Sequence, residues 1–279
     1  MKWFTTTNEE SLSSDNFFRQ LQVAVLSARR NTSLEPYLIY DGGEHQRLSW
    51  LQGHGVQVLR YRLPYRDQLR EFMYATCAPQ LLPKLFHVRI GAHLKTEVPA
   101  AVKQYGFRDK FVLYTDCDIV FLRDLSLEGV APRYLAAHGM RQGGWTRFRI
   151  GGWMHFNTGI LLMNVNKMHD ETRLFREFVL ANGAGVDRPP GEFMQKNLFL
   201  SDQVAVNVFY RGRIDQLGAY YNWHPARGVD SSVRVVHFSG IKWTEWDDLD
   251  PETLSESRKQ QFRRLIGPNR TAFSYYVER

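Results

Sequence analysis

Lys2-Trp3-Phe4-Thr5-Thr6-Thr7, Tyr37-Leu38-Ile39-Tyr40 and Val56-Gln57-Val58-Leu59 are short aromatic and β-branched runs separated by segments of helical periodicity. Such runs suit a pleated, half-buried surface and read as strands, the first running into a polar turn after Thr7. After the first, Ser13, Ser14 or Asp15 can cap a helix in which Phe17, Phe18, Leu21, Ala24, Val25 and Ala28 form one apolar face. The second run stops at Asp41-Gly42-Gly43, and a further helix is expected near Glu44 to Gln52. Strand, helix, strand, helix, strand is the pattern of a parallel sheet covered on both faces. The expected fold is therefore α/β, a single mostly parallel sheet flanked by helices. Ligands of such sheets bind beyond the carboxyl ends of the strands, so the stretch from Thr5 to Ser11 and the end of each later strand matter most.

Working outward, the clearest later strand is Phe111-Val112-Leu113-Tyr114, which ends at Thr115-Asp116-Cys117-Asp118 and continues into the apolar Ile119-Val120-Phe121-Leu122. Ile160-Leu161-Leu162-Met163-Asn164-Val165 follows Phe156-Asn157-Thr158-Gly159, and Val233-Arg234-Val235-Val236 ends at His237-Phe238-Ser239-Gly240. Arg141 to Gly152 and Gly183 to Gly191 read as loops near a site mouth. No composition break divides the chain. Residues 1–250 are expected as one domain and 251–279 as a basic C-terminal helix or tail.

The 279 residues, 43% hydrophobic and 23% charged, supply one sizeable core and exclude a disordered or fibrous chain. Two cysteines, Cys77 and Cys117, cannot build a disulfide framework, which fits a reduced, cytoplasmic compartment. No run approaches the ~20 apolar residues of a membrane span. The net charge of +7 favours anionic partners such as nucleotides, phosphate groups or acidic lipids. Nucleic acid is not expected, because a dense basic run interleaved with aromatics is missing. In the tail, Arg258, Lys259, Arg263 and Arg264 alternate with Phe262, Leu265 and Ile266, which fits either peripheral contact with anionic lipid or a solvated helix packed on the domain.

Asp116 and Asp118 flank one residue at the end of a buried strand, where extended geometry sets their Cα atoms about 7 Å apart on one side. Two such carboxylates repel unless a cation lies between them. Hard divalent ions, Mg²⁺ or Mn²⁺, are held by one or two carboxylates together with substrate phosphates. His237 ends another strand and is a candidate third ligand at the same sheet edge. Beyond it, Gly240 allows close backbone approach to a phosphate and Lys242 offers an ammonium. Asp202-Gln203 opens a helix, so Asp202 reads equally as an N-cap.

These residues resemble glycosyltransferase family 8, which includes glycogenin and the bacterial lipopolysaccharide galactosyltransferases. The resemblance runs from Trp3 to about Trp243 with motifs in matching order: Phe4-Thr5-Thr6-Thr7-Asn8, Arg89 in Phe86-His87-Val88-Arg89-Ile90, Leu113 to Asp118, Phe156 to Asn164, Ser201-Asp202-Gln203 with Asn207, and His237 to Trp243. It implies a GT-A, Rossmann-like fold and a retaining enzyme that uses Mn²⁺ to transfer a hexose from a UDP-sugar to a saccharide or other hydroxyl acceptor. By that resemblance Asp116, Asp118 and His237 are metal ligands. Thr5, Thr7 and Asn8 contact the nucleoside, and Arg89, Asp116 and Cys117 belong to the donor site. Gly240 and Lys242 hold the pyrophosphate, while Asn157, Asp202 and Gln203 handle the transferred sugar. The chain departs from the family in having Ser11 where an aromatic residue usually faces uracil, and only Ile241 between Gly240 and Lys242. Two alternatives share the acidic pair: a nucleotidyltransferase, and a non-catalytic nucleotide-sugar binding protein with structural Ca²⁺.

Overall fold

The computed structural model describes residues 1–76, 82–139, 155–183, 201–240 and 270–277. Cys77, most of the two Gly-rich segments, Lys242 and the basic stretch 251–269 lie outside them. Nine strands are present among the described residues: β1 (Lys2–Asn8), β2 (Glu35–Asp41), β3 (Gln57–Arg60), β4 (Phe111–Thr115), β5 (Ile119–Phe121), β6 (Leu135–Gly139), β7 (Phe156–Asn164), β8 (Ile214–Gln216) and β9 (Val235–His237). Seven of them form one sheet in the order β3-β2-β1-β4-β7-β6-β8, with β7 antiparallel to both neighbours and the other pairs parallel. The mostly parallel α/β sheet expected from the sequence is thus present.

Strict alternation decides which residues face which helices. Phe4, Tyr37, Ile39, Val112, Tyr114, Leu161 and Met163 point to one face, where they meet α4 (Arg66–Thr76), α5 (Leu82–Leu94), α6 (Val98–Gln104), α7 (Val165–Gly183) and α8 (Asp202–Phe209). Trp3, Leu38, Tyr40, Leu113, Ile160 and Leu162 point to the other, against α2 (Asp15–Asn31) and α3 (Gln46–Gly53). Each large side chain buried here contributes roughly 1.5–3 kcal/mol of transfer free energy. Trp3 keeps its indole satisfied by donating to Thr115 Oγ1 at 2.8 Å.

Caps set the helix ends. Ser14 Oγ accepts from Phe17 N–H to start α2, Leu21, Ala24, Val25 and Ala28 form its buried stripe, and Arg29 and Arg30 lie in the last turn, where cations suit the helix dipole. The stretch after Thr7 differs from the expected polar loop. The strand continues to Asn8, whose Oδ1 accepts from Ser11 N–H and starts a short helix α1 (Glu9–Ser13). Between α5 and α6, the 3₁₀ turn Lys95–Glu97 is buried throughout.

β5 and β9 pair antiparallel in a separate two-stranded sheet, Ile119 opposite His237. His237 therefore reaches the site from this small second sheet, a correction to its expected place on the main sheet. The last described helix, Arg270–Val277, sets the fully buried Tyr276 against Val120, Val233, Val236 and Phe238 beneath that small sheet. Among the described residues no helix is long and apolar enough to cross a membrane.

Candidate active site and metal centre

Strand order reverses between β1 and β4, since β1 carries β2 on one side and β4 on the other. A crevice opens above the carboxyl ends of strands at such a point. Because β7 runs antiparallel to β4, it is the start of β7 that reaches this edge, and Asp116 N–H donates to Gly159 O at 2.8 Å. The resulting cleft has a volume of about 420 Å³. Thr6 and Thr7 line it from β1, Asp116, Cys117 and Asp118 from the end of β4, and Asn157 and Thr158 from β7. Asp202 and Gln203 close it from α8, with His237 and Ser239 from the β9 end.

Asp116, Asp118 and His237 converge so that one ligand atom from each lies within 4.8 Å of the others. His237 Nε2 is 3.3 Å from Asp118 Oδ1. Its tautomer follows from the network behind it. Gly159 N–H can only donate, so Asn157 presents Oδ1 to it at 2.9 Å, and the same oxygen accepts from Asn222 Nδ2. Asn222 then turns Oδ1 to His237 Nδ1 at 3.0 Å, which places the imidazole proton there and leaves Nε2 a lone-pair donor toward the carboxylates. A Cβ at Gly159 would overlap His237 Cε1, so only glycine admits the ring at this position. Two carboxylates and one imidazole with a fixed tautomer suit a divalent ion that accepts oxygen and nitrogen ligands.

Lys95 was not legible as a site residue. From its buried turn it reaches Asp202 Oδ2 at 2.8 Å and Asp116 Oδ1 at 3.0 Å, joining the end of β4 to the start of α8. Burial alone would lower the Lys95 pKa, but Asp116 and Asp202 outweigh it and hold the value well above that of an ordinary lysine. Burial likewise pushes the Asp202 carboxyl upward, and Lys95 outweighs this to hold it below the usual carboxylate range. Tyr114 donates to the same Asp116 Oδ1 at 2.6 Å, and burial first, then Asp116, push its phenol well above the ordinary value. Ser201 is the residue before α8, so Asp202 is not its N-cap. Its Oδ2 also accepts from Thr158 Oγ1 at 3.2 Å. Gln203 Oε1 accepts from Thr158 N–H, and its amide nitrogen donates to His155 Nε2.

Other expected residues are divided. Thr7, Asp116, Cys117, Asp118, Asn157, Asp202, Gln203 and His237 meet at the cleft. Thr5 and Asn8 are buried behind it, Asn8 donating to His87 O at 2.6 Å. Arg89 sits in α5 away from the cleft lining, although its charge contributes to lowering the Asp202 pKa. Gly240 has φ of +96°, a conformation that favours glycine, just beyond Ser239. Ser11 lines the cleft with Phe17 and Gln20 of α2.

No protein-family model matches the chain, and no curated protein matches its sequence. Solved structures do. Galactosyltransferase LgtC, in complex with donor and acceptor sugar analogs, is 18% identical with a TM-score of 0.57, over 93% of this chain and 99% of that one. Glycosyltransferase GlyE of Streptococcus pneumoniae TIGR4 is 15% identical with a TM-score of 0.55; the match covers 99% of this chain and 63% of GlyE. The bifunctional glycosyltransferase WbbM is 12% identical, TM-score 0.55, covering 95% of this chain and 52% of WbbM. At such identities the likeness is one of architecture. The chain has the GT-A fold of these glycosyltransferases.

Proposed function

We propose that this chain is a retaining glycosyltransferase of the family 8 type, which transfers a hexose from a UDP-sugar to a hydroxyl of a saccharide acceptor with Mn²⁺ or Mg²⁺. The observation that carries this reading is the convergence of Asp116, Asp118 and His237 beside Asp202, Gln203 and Asn157 in one cleft. In this reading Thr7 lies against the nucleoside, with Thr5 and Asn8 shaping the strand end behind it. Gly240 and Lys242 meet the pyrophosphate, and Arg89 adds positive potential. A divalent ion bound to Asp116, Asp118 and His237 supplies Lewis-acid neutralisation of the leaving diphosphate.

Asp202 and Gln203 face the sugar. Asp202 is already engaged by Lys95 and Thr158, and a carboxylate so neutralised is a weaker nucleophile than a free one. It is better suited to orienting the sugar and stabilising developing positive charge. Transfer then proceeds on the front face: the acceptor hydroxyl attacks from the side of the departing phosphate, which takes the hydroxyl proton. Incubation with UDP-glucose and UDP-galactose tests the reading. Metal-dependent release of UDP is expected, with a product of retained anomeric configuration by NMR. Release of the sugar 1-phosphate in place of UDP would indicate the nucleotidyltransferase, and binding without turnover a nucleotide-sugar binding protein.

A further inference from the structure

Arg227 is a cation held in place by groups that carry no negative charge. Its Nη2 lies 2.9 Å from His138 Nε2, and its guanidinium sits 5.5 Å from the centre of the Trp223 ring. Among the described residues no carboxylate pairs with it. His138 Nδ1 is 3.2 Å from the Leu217 carbonyl, so that nitrogen carries the proton and Nε2 accepts from Arg227. Burial is the first cause holding the His138 pKa below the ordinary histidine value, consistent with a neutral ring.

Two connections tie this exposed arginine to residues that line the cleft, although it does not line the cleft itself. His138 is the β6 register partner of Asn157, a cleft-lining residue. Arg227 ends the 3₁₀ turn Pro225–Arg227, which His224 caps through Nδ1 while its Nε2 donates to the carbonyl of Ser239, another cleft-lining residue. In the sheet, β6 lies two strands beyond β4, on the side away from Thr7 and β1. If the nucleoside lies against β1, this is the acceptor side. A guanidinium placed in advance over an aromatic ring and against a neutral hydrogen-bond acceptor keeps its other N–H groups for an oxyanion, with little ordering cost on binding.

We infer that the acceptor carries an anionic group, a phosphate or a carboxylate, which Arg227 receives at the rim of the cleft. The inference rests on the glycosyltransferase reading and names the substrate class for that same site. Glucose, glucose 6-phosphate and glucuronate are titrated into protein saturated with UDP and Mg²⁺, so that the diphosphate site is filled, and dissociation constants are read by ligand-observed NMR. At least one charged sugar is expected to bind roughly tenfold or more tightly than glucose, the scale of a charge-assisted hydrogen bond. Whichever of the two binds more tightly identifies phosphate or carboxylate as the source. Arg227→Gln, which retains a donor for His138, should remove that margin, and Arg227→Lys should restore part of it. Equal binding of all three sugars, or a margin unchanged in Arg227→Gln, would overturn the inference. UDP release from a UDP-sugar alongside equal binding leaves the glycosyltransferase reading standing; no release from any UDP-sugar removes that reading and the inference with it.

Discussion

Lys95 and Glu97 leave the same buried turn in different directions and meet different fates. Glu97 is fully buried and saturated: Arg176 Nε donates to it at 2.9 Å and Tyr61 at 2.7 Å, tying α7 and the end of β3 to the turn. Lys95 is almost as buried, but its partners Asp116 and Asp202 open onto the cleft, and the Asp116 side chain is 30% exposed. The first cluster is closed, with its acceptors filled by protein donors. The second is a cationic bridge between carboxylates that still face the open cleft. Buried ion pairs two residues apart can thus serve stability and chemistry separately, according to whether the far side of the pair is protein or open space.

Breaking the cleft side at its proposed metal ligands should have the largest effect. Asp118→Asn keeps volume but removes charge, and is expected to lower transfer roughly 1,000-fold or more, in line with the several kcal/mol supplied by a catalytic ion. Mn²⁺ affinity by electron paramagnetic resonance should fall with it while the circular dichroism spectrum is kept. The core side should respond in the opposite sense. Glu97→Gln leaves Arg176 uncompensated and should cost about 3 kcal/mol in urea unfolding, with metal affinity of the folded protein retained. If Glu97→Gln instead impaired metal binding and left stability intact, the division between the two clusters would be wrong.

Lys95→Met sharpens the contrast. Loss of this fixed charge should reduce transfer roughly 100-fold. It should also move the acid limb of the pH-rate profile upward. Lys95 holds the Asp202 carboxyl down against the upward push of burial, so without it Asp202 takes up a proton at higher pH as pH falls. An acid limb in the same place would separate Asp202 from the transfer step. The smallest change expected is at Gly159→Ala, whose methyl displaces the His237 ring and should weaken Mn²⁺ binding roughly tenfold. Calorimetry with Mn²⁺ measures this directly, and unchanged affinity would mean that His237 is not a ligand.

Much of this was written locally in the chain. The alternation in Trp3-Phe4 and Tyr37-Leu38-Ile39-Tyr40, the cap at Ser14 and the stripe from Leu21 to Ala28 each act within a few residues, so pattern alone assigns them. The acidic pair is equally local, because strand geometry fixes the separation of Asp116 and Asp118 whatever surrounds them. Asn8 misled the reading of its segment for a local reason too: the same polar residue that signals a turn also starts a helix by capping it.

What the tertiary structure alone decided is which distant residues complete those local signals. Lys95 carries no motif that marks it as a site residue, and its role exists only because the turn after α5 packs beneath the ends of β4 and β7. Asn222 and Gly159 acquire meaning through His237, which arrives by the non-local β5–β9 pairing. Neither Arg89 nor Arg227 is among the residues that line the cleft, and Arg227 meets the site only through His138, whose register with Asn157 no short stretch specifies. Periodicity and caps arise from neighbours a few residues apart, so the sequence determines them by itself. Ion-pair partners, tautomers and room for an imidazole depend on contacts between segments far apart in the chain, and folding is what brings those segments together.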